Sequence, residues 1–250
     1  MFETLKEDIQ CVLDRDPAAK SALEVYFCYP GFHAVRAYRR AHKWYLKGHT
    51  TIARMISDRC RRKTGVDIHP GATIGRRLFI DHACGVVIGE TCVIGDDCTI
   101  YQGATLGGTG KITGKRHPTI GNNVTISAGS AVLGPFTVGD HAKIGAGAVV
   151  LSEVPPYATV VGVPGRVVRM RRCPMGICNA EDCPGKPAEC PHAKACPHRS
   201  TCCMMTCGED GVDLDQVHLP DPVAQQFSAM EERLKALEAR LEAAGIPAND

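Results

Sequence analysis

Residues able to do chemistry are concentrated at three points of the 250-residue chain. His82 stands beside Asp81, with Asp67 upstream. A neutral imidazole titrating near neutrality is the natural base for a very weakly acidic proton. A carboxylate that accepts its Nδ1 proton would fix the tautomer such a base needs. Arg116 and His117 form the second group. A guanidinium grips a carboxylate through two parallel hydrogen bonds, and the imidazole can add a third donor. Against these readings stand bland ones, an ordinary surface histidine at 82 and a solvated basic loop tip at Lys115-Arg116-His117. The third concentration is sulfur: Cys173, Cys178, Cys183, Cys190, Cys196, Cys202, Cys203 and Cys207, with His192 and His198 following Cys-Pro steps. None of these pairs has C-x2-C zinc-knuckle spacing, and the four-cysteine ferredoxin run is absent. A Zn or Fe–S site, reduced thiols in a linker, and a redox-formed disulfide knot are all compatible with the pattern, so these eight are the candidate metal ligands.

The elements that must position these groups are built from a chain with 44% hydrophobic but only 5% aromatic residues, so its core is aliphatic and small. Twenty-nine basic residues nearly balance 27 acidic ones. The net charge of +2 gives no electrostatic footprint for nucleic acid or an anionic membrane. No apolar run reaches membrane-spanning length, and the start lacks a signal-peptide layout. A soluble, cytoplasmic protein is expected.

The decisive pattern is a six-residue period. Aliphatic residues recur at Ile68, Ile74 and Ile80, then after a slip of two at Ile88, Ile94, Ile100 and Leu106. After a longer interruption they resume at Ile120, Ile126, Val132, Val138, Ile144 and Val150. Six residues advance an α-helix by about 600°, so one helix face cannot collect them. In a parallel β-helix each six-residue unit makes one flat side and a corner, with the aliphatic side chain inward. His82 lies in the slip, and Arg116 and His117 lie in the interruption. Asp67 precedes His82 by close to one eighteen-residue coil, which could place the two on adjacent coils. Four residues after each aliphatic comes a mostly small side chain, and Cys84 and Cys92 are read as inward packing residues of this kind.

Four zones follow. Residues 1–64 form an N-terminal helical region, with Asp16-Pro17 read as a helix start and Tyr29-Pro30-Gly31 as a break. A second helical stretch runs from Phe32 towards Cys60. Residues 65–170 form the β-helix, and 171–210 the Cys-rich segment. Residues 221–244 form a short coiled-coil helix, with Val223, Phe227, Met230, Leu234, Leu237 and Leu241 as its seam.

Asp67-Ile-His-Pro70, Phe79-Ile-Asp-His-Ala83, Val87-Ile-Gly-Glu-Thr91, Thr105-Leu-Gly-Gly-Thr-Gly110, Gly114-Lys-Arg-His-Pro118 and Val161-Gly-Val-Pro-Gly-Arg166 together resemble the serine O-acetyltransferases of the hexapeptide acyltransferase superfamily. Asp14-Arg-Asp-Pro17 and Gly31-Phe-His-Ala34 are similar too. The resemblance covers roughly the first 170 residues. It implies a left-handed β-helix, a homotrimer or hexamer, and acetyl transfer from acetyl-CoA to L-serine for cysteine biosynthesis. It implies His82 as base with Asp67, Glu90 as a further acidic neighbour, Asp16 and Asp81 on the substrate ammonium, and Arg116 and His117 on its carboxylate. Gly107, Gly108, Ala128, Gly129, Ala146 and Gly147 would leave a slot for the pantetheine arm, with Arg166 near the nucleotide phosphates. No Ser or Cys lies in a nucleophile-elbow or Cys/His motif, so direct transfer is expected. The Cys-rich extension is atypical of the family. The chain ends in Asp250 and not in isoleucine, which argues against docking to O-acetylserine sulfhydrylase. Alternatives within the fold are another hexapeptide acyltransferase, or a zinc carbonic anhydrase needing three histidines where only His82 and His117 offer themselves. A non-catalytic scaffold would leave the Asp67, His82 and Arg116-His117 constellation unexplained.

Overall fold

A computed structural model describes residues 2–108, 110, 113–170, 227, 228 and 230–236. The chain opens with α1 (Phe2–Arg15), α2 (Ala22–Cys28), α3 (Pro30–Leu46) and α4 (Thr50–Thr64). Asp16-Pro17 does not start a helix. Proline has no amide to continue α1, and the Asp16 carboxylate accepts Ala18 N at 2.8 Å in a local turn. The cap of α2 is Ser21, whose hydroxyl accepts Glu24 N. Pro30 ends α2 and opens α3 at its first turn. The stretch after Phe32 is two helices, divided at Gly48, where φ is 83°.

From Asp67 the chain winds into three parallel sheets. The first face stacks β1 (Asp67–Ile68), β4 (Val87–Ile88), β7 (Thr105–Gly107), β10 (Ala131–Leu133) and β13 (Val149–Val150). The second stacks β2 (Thr73–Ile74), β5 (Val93–Ile94), β8 (Thr119–Ile120) and β11 (Thr137–Val138). The third stacks β3 (Phe79–Ile80), β6 (Thr99–Ile100), β9 (Thr125–Ile126), β12 (Lys143–Ile144) and β14 (Ala158–Val161). A last strand, β15 (Arg166–Met170), runs antiparallel on β14.

Every aliphatic of the six-residue pattern is the second residue of its strand. All are buried except Ile74, which is half-buried. Register aligns them coil over coil, for example Ile80 with Ile100 and Ile100 with Ile126. The inward corner position lies two residues before each aliphatic, as at Val66, Ala72, Leu78, Cys92, Cys98 and Ala104. Cys84 therefore breaks the packing expectation. The slip moves the inward slot on to Val86, which is fully buried, and leaves Cys84 exposed.

The first coil has one open edge. Its strand amides donate to the second coil, as in Asp67 N to Val86 O, so its carbonyls have no coil beneath them. Helix side chains take that place. Ser57 donates to Ile68 O, Tyr38 to Ala72 O, Arg39 to Gly75 O, and Cys11 and Arg15 to Arg77 O, while the His42 ring bonds Pro70 O. Buried backbone acceptors require such partners.

Residues Asp215–Asp250 form a second compact unit. In it 227, 228 and 230–236 are helical, with Phe227, Met230 and Leu234 exposed. Val223, Leu237 and Leu241 of the expected seam, and all eight clustered cysteines, lie outside the described residues.

Candidate active site

Paired strands show where the coils depart from eighteen residues. Asp67 aligns with Val87, Val87 with Thr105, Thr105 with Ala131, and Ala131 with Val149. The 87–105 and 131–149 steps are regular. The first coil gains two residues between β3 and β4, and the third gains eight between β7 and β8. Each insertion carries one of the two chemical groups, at two different corners of the prism.

The shorter insertion, residues 81–86, turns the corner from the third face to the first. His82 and Ala83 both adopt left-handed backbone, φ 54° and 56°, a conformation costly for residues with a β-carbon. The Asp81 carboxylate fixes the turn by accepting His82 N at 2.8 Å. The imidazole projects outward, 71% exposed, with Nε2 3.8 Å from Asp81 Oδ2. No hydrogen bond among the described residues joins Asp67 to His82; Asp81 is the carboxylate beside the ring. Tyr29 donates to Asp16 Oδ2 at 2.6 Å. Burial and the Asp16 hydrogen bond push the Tyr29 phenol up, and Tyr101 is raised by burial. The negative charges of Asp16 and Asp81 add to both shifts.

The same corner carries a line of left-handed glycines along the stack, Gly85, Gly103, Gly129 and Gly147. They are linked by Gly103 N to Cys84 O, Gly129 N to Gln102 O and Gly147 N to Ala128 O. A β-carbon on Gly129 or Gly147 would meet nothing within 4 Å. Gly129, Ala146 and Gly147 are exposed and Ala128 is half-buried. Gly107 and Gly108 belong elsewhere. They open the longer insertion, and a β-carbon on Gly108 would lie 2.9 Å from Arg116 O. Arg166 is exposed at the start of β15.

The longer insertion folds back on the corner after β4. Thr91 is its anchor. Its hydroxyl accepts Arg116 N at 3.0 Å and His117 N at 3.2 Å, and its carbonyl accepts Lys115 Nζ at 2.8 Å. His117 is buried, its ring lying on Gly89. Burial, aided by Arg116, lowers its pKa, with Glu90 acting the other way. Arg116 donates to Glu90 Oε2 at 2.5 Å, and Tyr45 to Glu90 Oε1 at 3.2 Å. The Arg116 hydrogen bond holds the Glu90 carboxyl below its ordinary value. Within the chain, Glu90 is thus the partner of Arg116 at the first-to-second corner, while His82 stands at the third-to-first corner. His69, its pKa lowered by burial, completes this cluster against the Tyr45 ring. Among the described residues, no group of three or more His, Cys, Asp or Glu could hold a metal ion.

Sequence reasoning missed Tyr29, Tyr101, Thr91 and Gly89. Thr91 lies in the Val87-Ile-Gly-Glu-Thr91 motif, but one corner hydroxyl leaves no periodic trace. Tyr29 reads from the sequence only as part of a helix break.

Residues 1–37 match the serine acetyltransferase N-terminal family and 117–152 the bacterial transferase hexapeptide (six repeats) family. The chain is 48% identical over 246 residues to the serine acetyltransferase of Bacillus subtilis, covering 96% of this chain and 95% of that one. The Neisseria gonorrhoeae serine acetyltransferase in complex with serine superposes with a TM-score of 0.65 at 44% identity, over 67% of this chain and 68% of the other. The Brucella abortus serine acetyltransferase in complex with coenzyme A gives 0.65 at 46% identity, over 67% of each chain.

Proposed function

The chain belongs to the serine acetyltransferase family, and from that premise we propose that it transfers the acetyl group of acetyl-CoA to the hydroxyl of L-serine, giving O-acetylserine and CoA. His82 takes the serine Oγ proton as the oxygen attacks the thioester carbonyl. The tetrahedral intermediate then expels the CoA thiolate, the C–S bond breaks, and the imidazolium returns the proton to sulfur. No acyl-enzyme is involved. Asp67 is the carboxylate assigned to His82 Nδ1–H in the assembled site. Asp16, held by the Tyr29 hydroxyl, and Asp81 receive the ammonium.

The observation that carries this reading is the shared corner. The glycine line reaches His82 along the stack at about 4.8 Å per coil. A pantetheine arm lying on Gly129 and Gly147 would present its thioester at the imidazole. Arg116 and His117 stand at a different corner of the same chain. The reading therefore includes a homotrimer of left-handed prisms, residues 65–170 of each, in which one protomer's insertion covers the His82 corner of its neighbour and holds the substrate carboxylate. The test is thiol release from acetyl-CoA with and without L-serine. Release that depends on L-serine and yields O-acetylserine supports the proposal; release indifferent to it, or none, overturns it.

A further inference from the structure

We propose that Thr91 is a positioning residue that holds His117 as a neutral imidazole with its proton on Nε2, making it a fixed hydrogen-bond donor to the substrate. The inference rests on the reading of His117 as a substrate-binding group, and begins from donor counting. The backbone N–H of Thr91 points at His117 Nδ1 from 3.2 Å. An amide can only donate, so Nδ1 carries a lone pair. The Thr91 hydroxyl lies 2.9 Å from the same nitrogen, and its oxygen already accepts two amides, Arg116 N and His117 N. Its own proton is left for Nδ1. Two donors converging on one ring nitrogen leave the mobile proton on Nε2.

The groups around the ring reinforce this. Arg116 and Lys115 flank it, and among the described residues the acid acting on it is Glu90, itself engaged by Arg116. Protonating Nδ1 would aim an N–H at another N–H beside a guanidinium. His117 therefore donates through Nε2 without becoming a cation. A carboxylate bound by it keeps that hydrogen bond on either side of the pH at which a free imidazole loses its charge.

The experiment uses the full chain labelled with 15N-histidine, with the His117 signals assigned by their loss in His117→Gln. The wild type should show Nε2–H and unprotonated Nδ1 across pH 6–8, and a KM for L-serine that is flat there. Thr91→Val keeps the shape but deletes the hydroxyl. It should raise KM for L-serine about tenfold, the worth of one hydrogen bond, change kcat less, and admit the second tautomer. Thr91→Ser should restore both readouts. An Nδ1–H signal in the wild type overturns the proposal, as does a valine variant with unchanged tautomer and KM. If Thr91→Val does not fold, the wild-type spectrum and the serine variant still decide. A chain that fails to use L-serine yet shows the Nε2–H tautomer would refute the functional reading and leave the role of Thr91 intact.

Discussion

Gly89→Ala tests the geometry of the proposed carboxylate-binding corner with the smallest perturbation available. Backbone strain does not enter, because Gly89 is not among the residues with positive φ. The added β-carbon would instead lie 1.9 Å from His117 Cδ2 and 2.1 Å from Nε2. Ordinary contact begins at 3.4 Å, so the ring must retreat by about 1.5 Å. It cannot do so freely, being buried and tied to Thr91 through Nδ1 at 2.9 and 3.2 Å. Overpacking of this kind costs about 1–3 kcal/mol. Misplacing a substrate-binding group by some 1 Å costs up to about 100-fold in rate. The expected outcome is a lower Tm by circular dichroism and a fall in kcat/KM for L-serine approaching two orders of magnitude, with KM for acetyl-CoA changed little. A variant with wild-type kcat/KM for L-serine would refute the placement of His117 against the substrate.

Three further substitutions probe the same geometry. His82→Asn suits the left-handed backbone at that position while removing the base; turnover should drop about 10²- to 10⁴-fold with Tm unchanged, and near-normal turnover would end the assignment. Glu90 contributes through its depressed pKa, so its stabilisation is fully present above the ordinary value of 4.5 and is lost as pH falls through the lower folded value. Glu90→Gln should flatten that acid limb of the Tm–pH curve, and an unaltered limb would show that the Arg116 pair is idle. Ile100→Ala empties one rung between Ile80 and Ile126 and should cost about 2–5 kcal/mol in urea unfolding; a loss below about 1 kcal/mol would mean the ladder is not close-packed.

The β-helix was legible because its physics is one-dimensional. Each coil repeats the same inward choice, so spacing alone located the aliphatic rungs and both insertions. Cys84 shows the limit of that arithmetic. Counting forward four from Ile80 lands on it, whereas the added residues push the inward position to Val86. Glu90 shows another limit. Within the chain it lies one strand on from the slip that holds His82, at a different corner, where Arg116 engages its carboxylate, and no period marks that pairing. The hydroxyl of Thr91 and the phenols of Tyr29 and Tyr101 contribute through single contacts between segments far apart in the chain, and such contacts have no period to read. In the helical region, Pro17 looked like a helix opener by type alone; whether a proline opens or separates helices depends on what its neighbours' side chains bond.

The helices laid across the first coil bear on whether such a stack can grow end to end. A stack of parallel coils is a template at both ends, and bare carbonyls at one end could accept the amides of another molecule to build a fibre. Here Ser57, Tyr38, His42 and Arg39 occupy those carbonyls, and at the far end β15 reverses direction and replaces the next parallel rung with an antiparallel one. Growth by addition is thus opposed at the first coil and, on the third face, at the far end. The N-terminal helices are therefore a cap against polymerisation, and a version shortened to the coils alone should form filaments.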